Sequence, residues 1–299
     1  MNDRRDILVI CDIEGSSGCL GYAHSMFRTR EWAVACLAMT RDAHAVVTAL
    51  FDAGARRVTV KDFHRTAYNL FTDMIDPRAK VISGYRHGPF PGLGDPSGFD
   101  AALFIGMHAP SGSGGFLAHT MTSRIAEVRA NGKLLSEIEL FAGSLAPSGV
   151  APLFFSGCPV ACNYAKEAIP DITVFSIDKT TGWNDEDADA WREKLAYHAA
   201  ASLSAPDIAP FNPEGPFEVT VLMRDGETAA RTIARRWKID RTGGTLGFRA
   251  SSMLDIYKRL AQICYLTPFT EKITRVALPL YNLYGRAGIA WARRQIASK

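Results

Sequence analysis

The stretch I-L-V-I-C-D-I-E-G, residues 7–15, sets the architecture, because an apolar run is followed almost at once by two carboxylates. Ile7–Ile10 is predicted to form a buried β-strand. A helical segment, Glu31–Ala53, follows and ends before Gly54, which is typical of a helix C-terminal cap. Arg57–Lys61 then alternates polar and apolar residues as a strand does. Strand, helix and strand in this order indicate an α/β sheet with parallel neighbours.

The same alternation continues through the first two thirds of the chain, where helical patterns separate short apolar runs. Further strands are predicted at Lys80–Ser83, Ala101–Ile105 and Pro152–Ser156, and further helices at Val160–Ala168 and Asp185–Leu203. The residues A-N-G-K at 130–133 lie inside an alternating segment, Ile125–Leu135, and predict a type I′ hairpin turn. We therefore predict an α/β protein with a mostly parallel sheet flanked by helices.

A proline-rich stretch, Pro206–Pro216, is the clearest linker in the chain. It separates a predicted catalytic α/β domain at residues 1–205 from a smaller α+β subdomain at residues 206–269. That subdomain contains a predicted strand at Phe217–Met223, a helix at Glu227–Arg235, a turn at Gly243–Gly244 and a helix at Ser251–Cys264. Residues 270–299 are predicted to form an amphipathic helical tail, interrupted at Pro279 and Gly285. The tail is too short and interrupted to span a bilayer, and we expect it to pack on the catalytic domain or on a neighbouring subunit.

Composition excludes several classes of protein. Hydrophobic residues make up 47% of the chain and charged residues 22%, the balance of a folded domain rather than of a disordered or fibrous chain. The 34 basic and 31 acidic side chains leave a net charge of +3, too small to indicate binding to nucleic acid or to an anionic membrane. The N-terminal residues lack the long apolar core of a signal peptide, so we expect a cytoplasmic protein with reduced cysteines. Its one close cysteine pair, Cys158 and Cys162, is predicted to lie in the core rather than to form half of a metal site.

Side chains that commonly bind metals follow the predicted strands. Asp12 and Glu14 come directly after the first strand, and residues two apart on an extended chain point to the same side. The other members of the set are His64 after the second strand, His108 after the strand that ends at residue 105, and Glu137 after the hairpin. Because ligands bind outside the carboxyl ends of strands in open α/β sheets, we expect these side chains to meet at one edge.

Three carboxylates and two imidazoles suit a site for two metal ions, with one carboxylate bridging both. Zn²⁺ is the first choice for mixed nitrogen and oxygen donors, although Mn²⁺ and Fe²⁺ accept the same set. His119 follows a glycine-rich loop, Ser111–Gly115, which suits a loop that closes over a substrate; a plain surface turn is the alternative. The chain contains neither a G-x-S-x-G motif nor a phosphate-binding glycine motif, which disfavours a serine hydrolase and a nucleotide-binding enzyme.

Six short motifs carry these residues. They are D-I-E-G-S-S-G at 12–18, K-D-F-H at 61–64, I-S-G at 82–84, G-M-H-A at 106–109, A-H-T-M at 118–121 and N-G-K-L-L-S-E at 131–137. In order and spacing they resemble the D-aminopeptidase family of dinuclear zinc peptidases, the type associated with dipeptide-transport operons. The resemblance covers about residues 6–265 and implies two zinc ions per subunit, with Asp12 bridging them. It also implies that Glu14, His64, His108 and Glu137 are the remaining ligands, that His119 is the catalytic nucleophile, and that the subunits form a ring-shaped homodecamer around an internal chamber.

The resemblance implies a metal-dependent aminopeptidase that releases the amino-terminal residue, including a D-amino acid, from short peptides or amino-acid amides. On physical grounds we favour acid–base catalysis by His119, since a metal-activated water is already a sufficient nucleophile. Three positions depart from the family: Tyr85 replaces a usually acidic residue, Phe63 replaces a small residue, and Gly157-Cys158-Pro159 stands where G-D-D is usual. These departures concern substrate choice more than metal binding. The alternatives are an amidohydrolase of a non-peptide or biosynthetic amide, and a catalytically silent binding subunit stabilised by its metal.

Overall fold

The computed structural model describes residues 5–179, 183–204 and 208–298. In chain order its strands are β1 (Asp6–Cys11), β2 (Arg57–Asp62), β3 (Lys80–Ile82), β4 (Ala101–Met107), β5 (Ile125–Ala130), β6 (Lys133–Leu134), β7 (Ala151–Gly157), β8 (Thr173–Ser176), β9 (Phe217–Met223), β10 (Asp240–Thr242) and β11 (Thr245–Ala250). Its helices are α1 (Tyr22–Ser25), α2 (Arg30–Asp52), α3 (Glu137–Leu145), α4 (Pro159–Ala168), α5 (Asp185–Ala201), α6 (Gly226–Trp237), α7 (Met253–Tyr265), α8 (Pro268–Lys272) and α9 (Thr274–Ala297).

Six strands form a parallel sheet in the order β3-β2-β1-β4-β7-β8. In the middle of the sheet, Cys11 of β1 lies opposite Asp62 of β2 and Ile105 of β4. After β1, the chain adds β2 and β3 on one side of it and then crosses to add β4 on the other side. The direction in which strands are added therefore reverses between β1 and β4. Such a reversal opens a crevice at the carboxyl ends of the two strands. The predicted α/β class with its parallel sheet and flanking helices is confirmed.

Both faces of this sheet are covered, as expected for parallel strands. Leu8 and Ile10 of β1 point into an apolar layer that includes α3, α4 and α7. Ile7 and Val9 point into a second layer, which includes α2 and α5. By length and composition α2 could cross a membrane, but most of its apolar side chains, beginning with Trp32, belong to this second layer. It is therefore a core helix of the fold.

Five antiparallel strands form a second sheet in the order β10-β11-β9-β5-β6. Its central strand, β9, pairs with β11 on one side and with β5 of the predicted hairpin on the other. The hairpin turn is confirmed, because Asn131 and Gly132 have φ values of 50° and 81°, the left-handed conformation that a type I′ turn requires. Residues 205–207, which contain the predicted domain boundary and the start of the Pro206–Pro216 linker, lie outside the described residues. The division into domains stays a prediction.

The predicted interruption of the C-terminal tail is wrong. Helix α9 runs unbroken through Pro279 and Gly285. Pro279 lies on the exposed side, and Gly285 packs so closely on Tyr68 that a Cβ there would lie 2.4 Å from its ring. Tertiary packing thus stabilises a helix that local propensity disfavours. Strands β8, β10 and β11 were not predicted, because β8 and β10 are short and all three are only partly buried.

Candidate metal centre

The loop after β1 carries two carboxylates and is pressed against the end of β4. The Asp12 N–H donates to the Ile105 carbonyl at 2.9 Å, and the Gly15 N–H donates to the Gly106 carbonyl at 2.8 Å. Gly106 has a φ of 72°, and a Cβ there would lie 2.2 Å from the carbonyl oxygen of Asp12, so only glycine fits. The close approach places Asp12 and Glu14 at the crevice between β1 and β4, where both are buried.

His64 is positioned by the end of β2. Asp62, the last residue of that strand, accepts hydrogen bonds from the His64 N–H at 3.0 Å and from the Asn69 side-chain amide at 3.0 Å. The imidazole Nδ1 lies 3.1 Å from Asp12 Oδ1 and 3.1 Å from Glu14 Oε2. The loop after β2 therefore brings an imidazole to the two carboxylates that follow β1.

His108 and Glu137 approach the same point from the other side. His108 follows β4, and its Nε2 lies 3.3 Å from Asp12 Oδ2 and 3.6 Å from Glu137 Oε2. Glu137 is the first residue of α3, whose N-terminus is fixed by a capping box between Ser136 and Glu139. The other oxygen of Glu137 accepts the Met121 N–H at 2.7 Å. All five side chains predicted to bind metal thus meet in one buried cluster.

His119 lies beside this cluster and is half-buried. Its ring stacks on the ring of His108, with centroids 3.8 Å apart and an angle of 12° between the planes. Leu117 and Met121, on either side of it, have left-handed φ values of 46° and 64°, so the backbone of this loop is strained. One ligand atom each of His108, His119 and Glu137 lies within 4.8 Å of the others. This position is compatible with His119 acting as a metal ligand or contacting a substrate held at the cluster.

In each of the three histidines of the site, one ring nitrogen lies beside a backbone carbonyl, and the other ring nitrogen faces the cluster. His64 Nε2 lies 3.0 Å from the Ser25 carbonyl, and His108 Nδ1 lies 3.1 Å from the Ala109 carbonyl. His119 Nδ1 lies 2.8 Å from the Leu117 carbonyl. Metal-binding histidines are commonly oriented by such a carbonyl acceptor, which fixes the tautomer.

Burial and mutual attraction shift the pKa values of the cluster in opposite directions. Burial favours the neutral histidines, but the neighbouring carboxylates outweigh it, raising the pKa of His64 and bringing that of His108 to about 10. Burial raises the pKa of Glu137 to about 7. For His119, burial and then the positive charge of His108 lower the pKa to about 4. His119 is therefore neutral at pH 7.

The cluster fits a metal site on two observations. Glu14 Oε2 and His108 Nε2 are buried and, despite their short distances to His64 Nδ1 and Asp12 Oδ2, make no hydrogen bond of regular geometry among the described residues, an arrangement that a cation would stabilise. The two oxygens of Asp12 face different histidines, Oδ1 toward His64 and Oδ2 toward His108. A carboxylate that presents one oxygen to each side can bridge two ions, and mixed imidazole and carboxylate donors suit Zn²⁺.

Lys179 supports the loop that carries the carboxylates, a role that sequence reasoning missed. Its ammonium group donates to the backbone carbonyls of Glu14 at 2.9 Å, Ser16 at 2.8 Å and Cys19 at 2.6 Å. It also lies 4.5 Å from the ring centre of Phe116, in the loop that leads to His119. Lys179 comes shortly after β8, and residues that follow a parallel strand lie at this edge of the sheet. Recognising the short run T-V-F-S at 173–176 as a strand would therefore have placed Lys179 near the cluster.

Tyr85 and Cys158, at two of the departures from the family pattern, have structural partners. The Tyr85 hydroxyl donates to the carbonyl of Phe63, the residue before His64. Cys158 caps α4 by accepting the Ala161 N–H on its sulfur, and Cys162 S–H donates to the Gly157 carbonyl. Both cysteines are buried and free, as predicted for core residues.

Comparison with known proteins shows what this chain is similar to. The sequence model of the D-aminopeptidase family matches residues 6–262. A D-aminopeptidase of Bacillus subtilis (strain 168) is 26% identical over 257 residues, which cover 83% of this chain and 93% of that protein. Among solved structures, the Zn-dependent D-aminopeptidase DppA from Bacillus subtilis, described as a self-compartmentalizing protease, aligns with a TM-score of 0.75. That alignment has 24% identity and covers 87% of this chain and 97% of the other. The family match contains every candidate site residue, and α8 and α9 lie beyond it.

Proposed function

We propose, because this chain belongs to the D-aminopeptidase family, that it is a zinc-dependent aminopeptidase of short peptides or amino-acid amides. Family membership makes it a hydrolase of the aminopeptidase type. The group it releases is the amino-terminal residue, including a D-amino acid. The observation that carries the proposal is the position of Asp12, whose two carboxylate oxygens face His64 and His108.

Five side chains would hold two zinc ions in each subunit. Asp12 would be the carboxylate shared by the two ions, and Glu14, His64, His108 and Glu137 would be the remaining ligands. The placement of Asp12 supports two ions rather than one, because its Oδ1 lies 3.1 Å from His64 Nδ1 and its Oδ2 lies 3.3 Å from His108 Nε2. When bound, zinc would supply a Lewis acid for the scissile carbonyl and activate the attacking water.

His119 is assigned the proton transfer. Its depressed pKa keeps the imidazole neutral at pH 7, and the Leu117 carbonyl holds the proton on Nδ1. Nε2 is then free to accept a proton from the attacking water and to pass it to the leaving amine. The stacked ring of His108 keeps the imidazole in this orientation. A nucleophilic role for His119 is the alternative that the family resemblance implies.

Assembly into a homo-oligomer, with the ring-shaped decamer as the expected form, is part of the proposal. It is supported by the self-compartmentalizing relative and by exposed apolar side chains on α8 and α9. These are Phe269, Val276, Leu280 and Leu283, each at least 61% exposed. An apolar stripe of this kind favours burial against another subunit. The cytoplasm stays the predicted compartment.

Tyr85 and Cys158 favour a second candidate, an amidohydrolase of a non-peptide amide, because both occupy positions where the family usually has an acidic residue. A silent binding subunit is the third candidate, but it has no need of a neutral histidine held over the donor cluster.

Elemental analysis of the purified protein, followed by a hydrolysis screen, tests these candidates together. The screen compares peptides and amides that carry the same amino-terminal residue in its D and L forms, with non-peptide amides alongside. We expect two zinc ions per subunit and hydrolysis of the short substrates. Hydrolysis of non-peptide amides only would support the second candidate, and zinc without any hydrolysis would support the binding subunit. Protein that binds no divalent metal would contradict all three.

A further inference from the structure

Helix α9 lies against its own subunit beside the metal centre. Its inner face carries Gly285, Gly288 and Ala292, all buried. A Cβ on Gly285 would lie 2.4 Å from the Tyr68 ring, and a Cβ on Gly288 would lie 2.1 Å from the Phe27 ring. The helix therefore approaches these aromatic residues more closely than larger side chains would allow. All of α9 lies beyond residues 6–262, the part that the family matches.

Asn282 of α9 pairs with both backbone groups of Tyr85. Its Oδ1 accepts the Tyr85 N–H at 3.0 Å, and its Nδ2 donates to the Tyr85 carbonyl at 3.1 Å. A side chain that binds both groups of one residue fixes the position of that residue. Tyr85 in turn donates its hydroxyl to the Phe63 carbonyl at 3.0 Å. Two linked contacts thus connect α9 to the residue before His64.

The segment after His64 is strained, and α9 contacts it as well. Arg65 and Ala67 have φ values of 46° and 55°, in the left-handed region that residues with a Cβ rarely adopt. The Tyr281 hydroxyl donates to the Arg65 carbonyl at 3.2 Å, and the Gly84 N–H donates to the Ala67 carbonyl at 2.7 Å. Strained backbone of this kind persists only where the surrounding structure stabilises it. Here α9 and the residues it holds provide that stabilisation.

We propose that α9 is a positioning element of the metal centre and that Asn282 is its main positioning residue. Through Tyr85, Asn282 holds the chain on the N-terminal side of His64, and Tyr281 holds the strained chain on the C-terminal side. Together they keep His64 Nδ1 at 3.1 Å from both Asp12 and Glu14. The proposal rests on the proposed function in one respect, namely that His64 is a metal ligand.

The test combines hydrogen exchange of the zinc-free full-length protein with its affinity for zinc. In Asn282→Ala, we expect faster amide exchange in peptides that cover residues 64–69 and 84–86. Zinc affinity, measured by competition with a chelator, is expected to fall about five- to tenfold, the effect of one or two lost hydrogen bonds. Tyr281→Phe keeps the ring beside Tyr85 but loses the bond to Arg65, and its affinity is expected to fall about two- to threefold.

Arg294→Ala is the matched control, because Arg294 lies on the same helix but is exposed and is not part of the apolar stripe. It should change neither exchange nor zinc affinity. Unchanged exchange or unchanged affinity in Asn282→Ala, with zinc bound by the wild type, would overturn the proposal. If Asn282→Ala does not fold, Tyr281→Phe decides the question by the same two measurements. If the wild type binds no zinc, the proposed function fails, and exchange at 64–69 still decides whether α9 holds His64.

Discussion

At the residue scale, Asp12 and His119 occupy different places in the donor cluster, and alanine at the two positions should have different effects. Asp12→Ala removes the charge between the two expected ions, so metal content and activity should both be lost, with lower stability because metal binding is linked to folding. His119→Ala should retain its zinc and a melting temperature within a few degrees of the wild type. Its turnover should fall by roughly 10²- to 10⁴-fold, the range for a lost acid–base residue.

Zinc per subunit and hydrolysis rate are the measurements for both variants. Loss of zinc in His119→Ala would instead identify His119 as a ligand, a role that its distances to His108 and Glu137 allow. A full hydrolysis rate in His119→Ala would remove it from the mechanism. The double variant should lose little more than Asp12→Ala, because groups that act as a unit are not additive.

Lys61 provides a prediction about pH. Its side chain is fully buried, and its ammonium group donates to the carbonyls of Asp62 at 2.8 Å and Gly84 at 2.6 Å. Burial, opposed by the Asp62 carboxylate, lowers its pKa from 10.5 to about 7. At pH values between about 7 and 10.5, Lys61 is protonated in the unfolded chain but mostly neutral in the folded one. The contribution of Lys61 to the free energy of unfolding therefore rises with pH in this range.

The comparison that isolates this effect is wild type against Lys61→Met. From pH 7 to pH 9, the unfolding free energy of the wild type should rise by about 2 kcal/mol relative to that of Lys61→Met. Urea unfolding at pH 7, 8 and 9 measures it. Lys194→Met, which removes an exposed lysine on α5, is the control and should show no such shift. A constant difference for Lys61→Met would mean that the lysine titrates as it does in water.

At the scale of elements, Lys179 links the end of β8 to the loop after β1. Replacing it in Lys179→Met leaves the carbonyls of Glu14, Ser16 and Cys19 without their shared donor. We expect a loss of about 2–4 kcal/mol in the free energy of unfolding, because hydrogen bonds to charged groups are strong and buried acceptors are costly to leave unpaired. Zinc affinity should fall with it, since Glu14 belongs to this loop.

Denaturation of the metal-free protein and chelator competition measure the two effects. Lys179→Arg keeps the charge and several donors, so it should recover part of both losses. If Lys179→Met binds zinc as tightly as the wild type, the contacts of Lys179 serve stability only.

At the scale of the whole molecule, the exposed stripe on α8 and α9 predicts the state of assembly. Leu280→Lys combined with Leu283→Lys places charges on this stripe without touching Asn282 or the glycine face of α9. The oligomer should dissociate into smaller species while each subunit keeps its zinc. Light scattering measures the mass, and Thr232→Lys on the exposed side of α6 controls for added charge. An unchanged mass would exclude the stripe from the subunit interface.

An enclosed assembly would also restrict the size of the substrate. Short peptides should enter a chamber formed by a ring of subunits, whereas folded proteins should not. The measurement compares turnover of a dipeptide amide with release of the same amino-terminal residue from a folded protein. We expect turnover of the dipeptide amide only. Comparable rates would show that the active site opens directly to the surrounding solution.

Much of the fold could be predicted from the sequence, because the deciding patterns are local. Apolar runs such as Ile7–Ile10 and the turn at Asn131 and Gly132 depend on neighbouring residues, and both were identified. The candidate metal cluster, apart from Glu137, followed from one more rule, that residues after parallel strands meet at one sheet edge. Asp12, His64 and His108 come from three segments, yet each directly follows a strand, so their meeting was foreseeable.

Contacts between distant segments were decided only by the tertiary structure. Lys179 binds the carbonyl of Glu14 across 165 residues of chain, and Asn282 binds Tyr85 across 197. No local pattern specifies such a pair, because the partner is a backbone group that every residue carries. The unbroken helix α9 has the same origin: Pro279 and Gly285 oppose it locally, while packing of Gly285 and Gly288 on aromatic rings stabilises it. The sequence by itself determined the parallel sheet and the residues at its edge, and the tertiary structure decided what holds those residues in place.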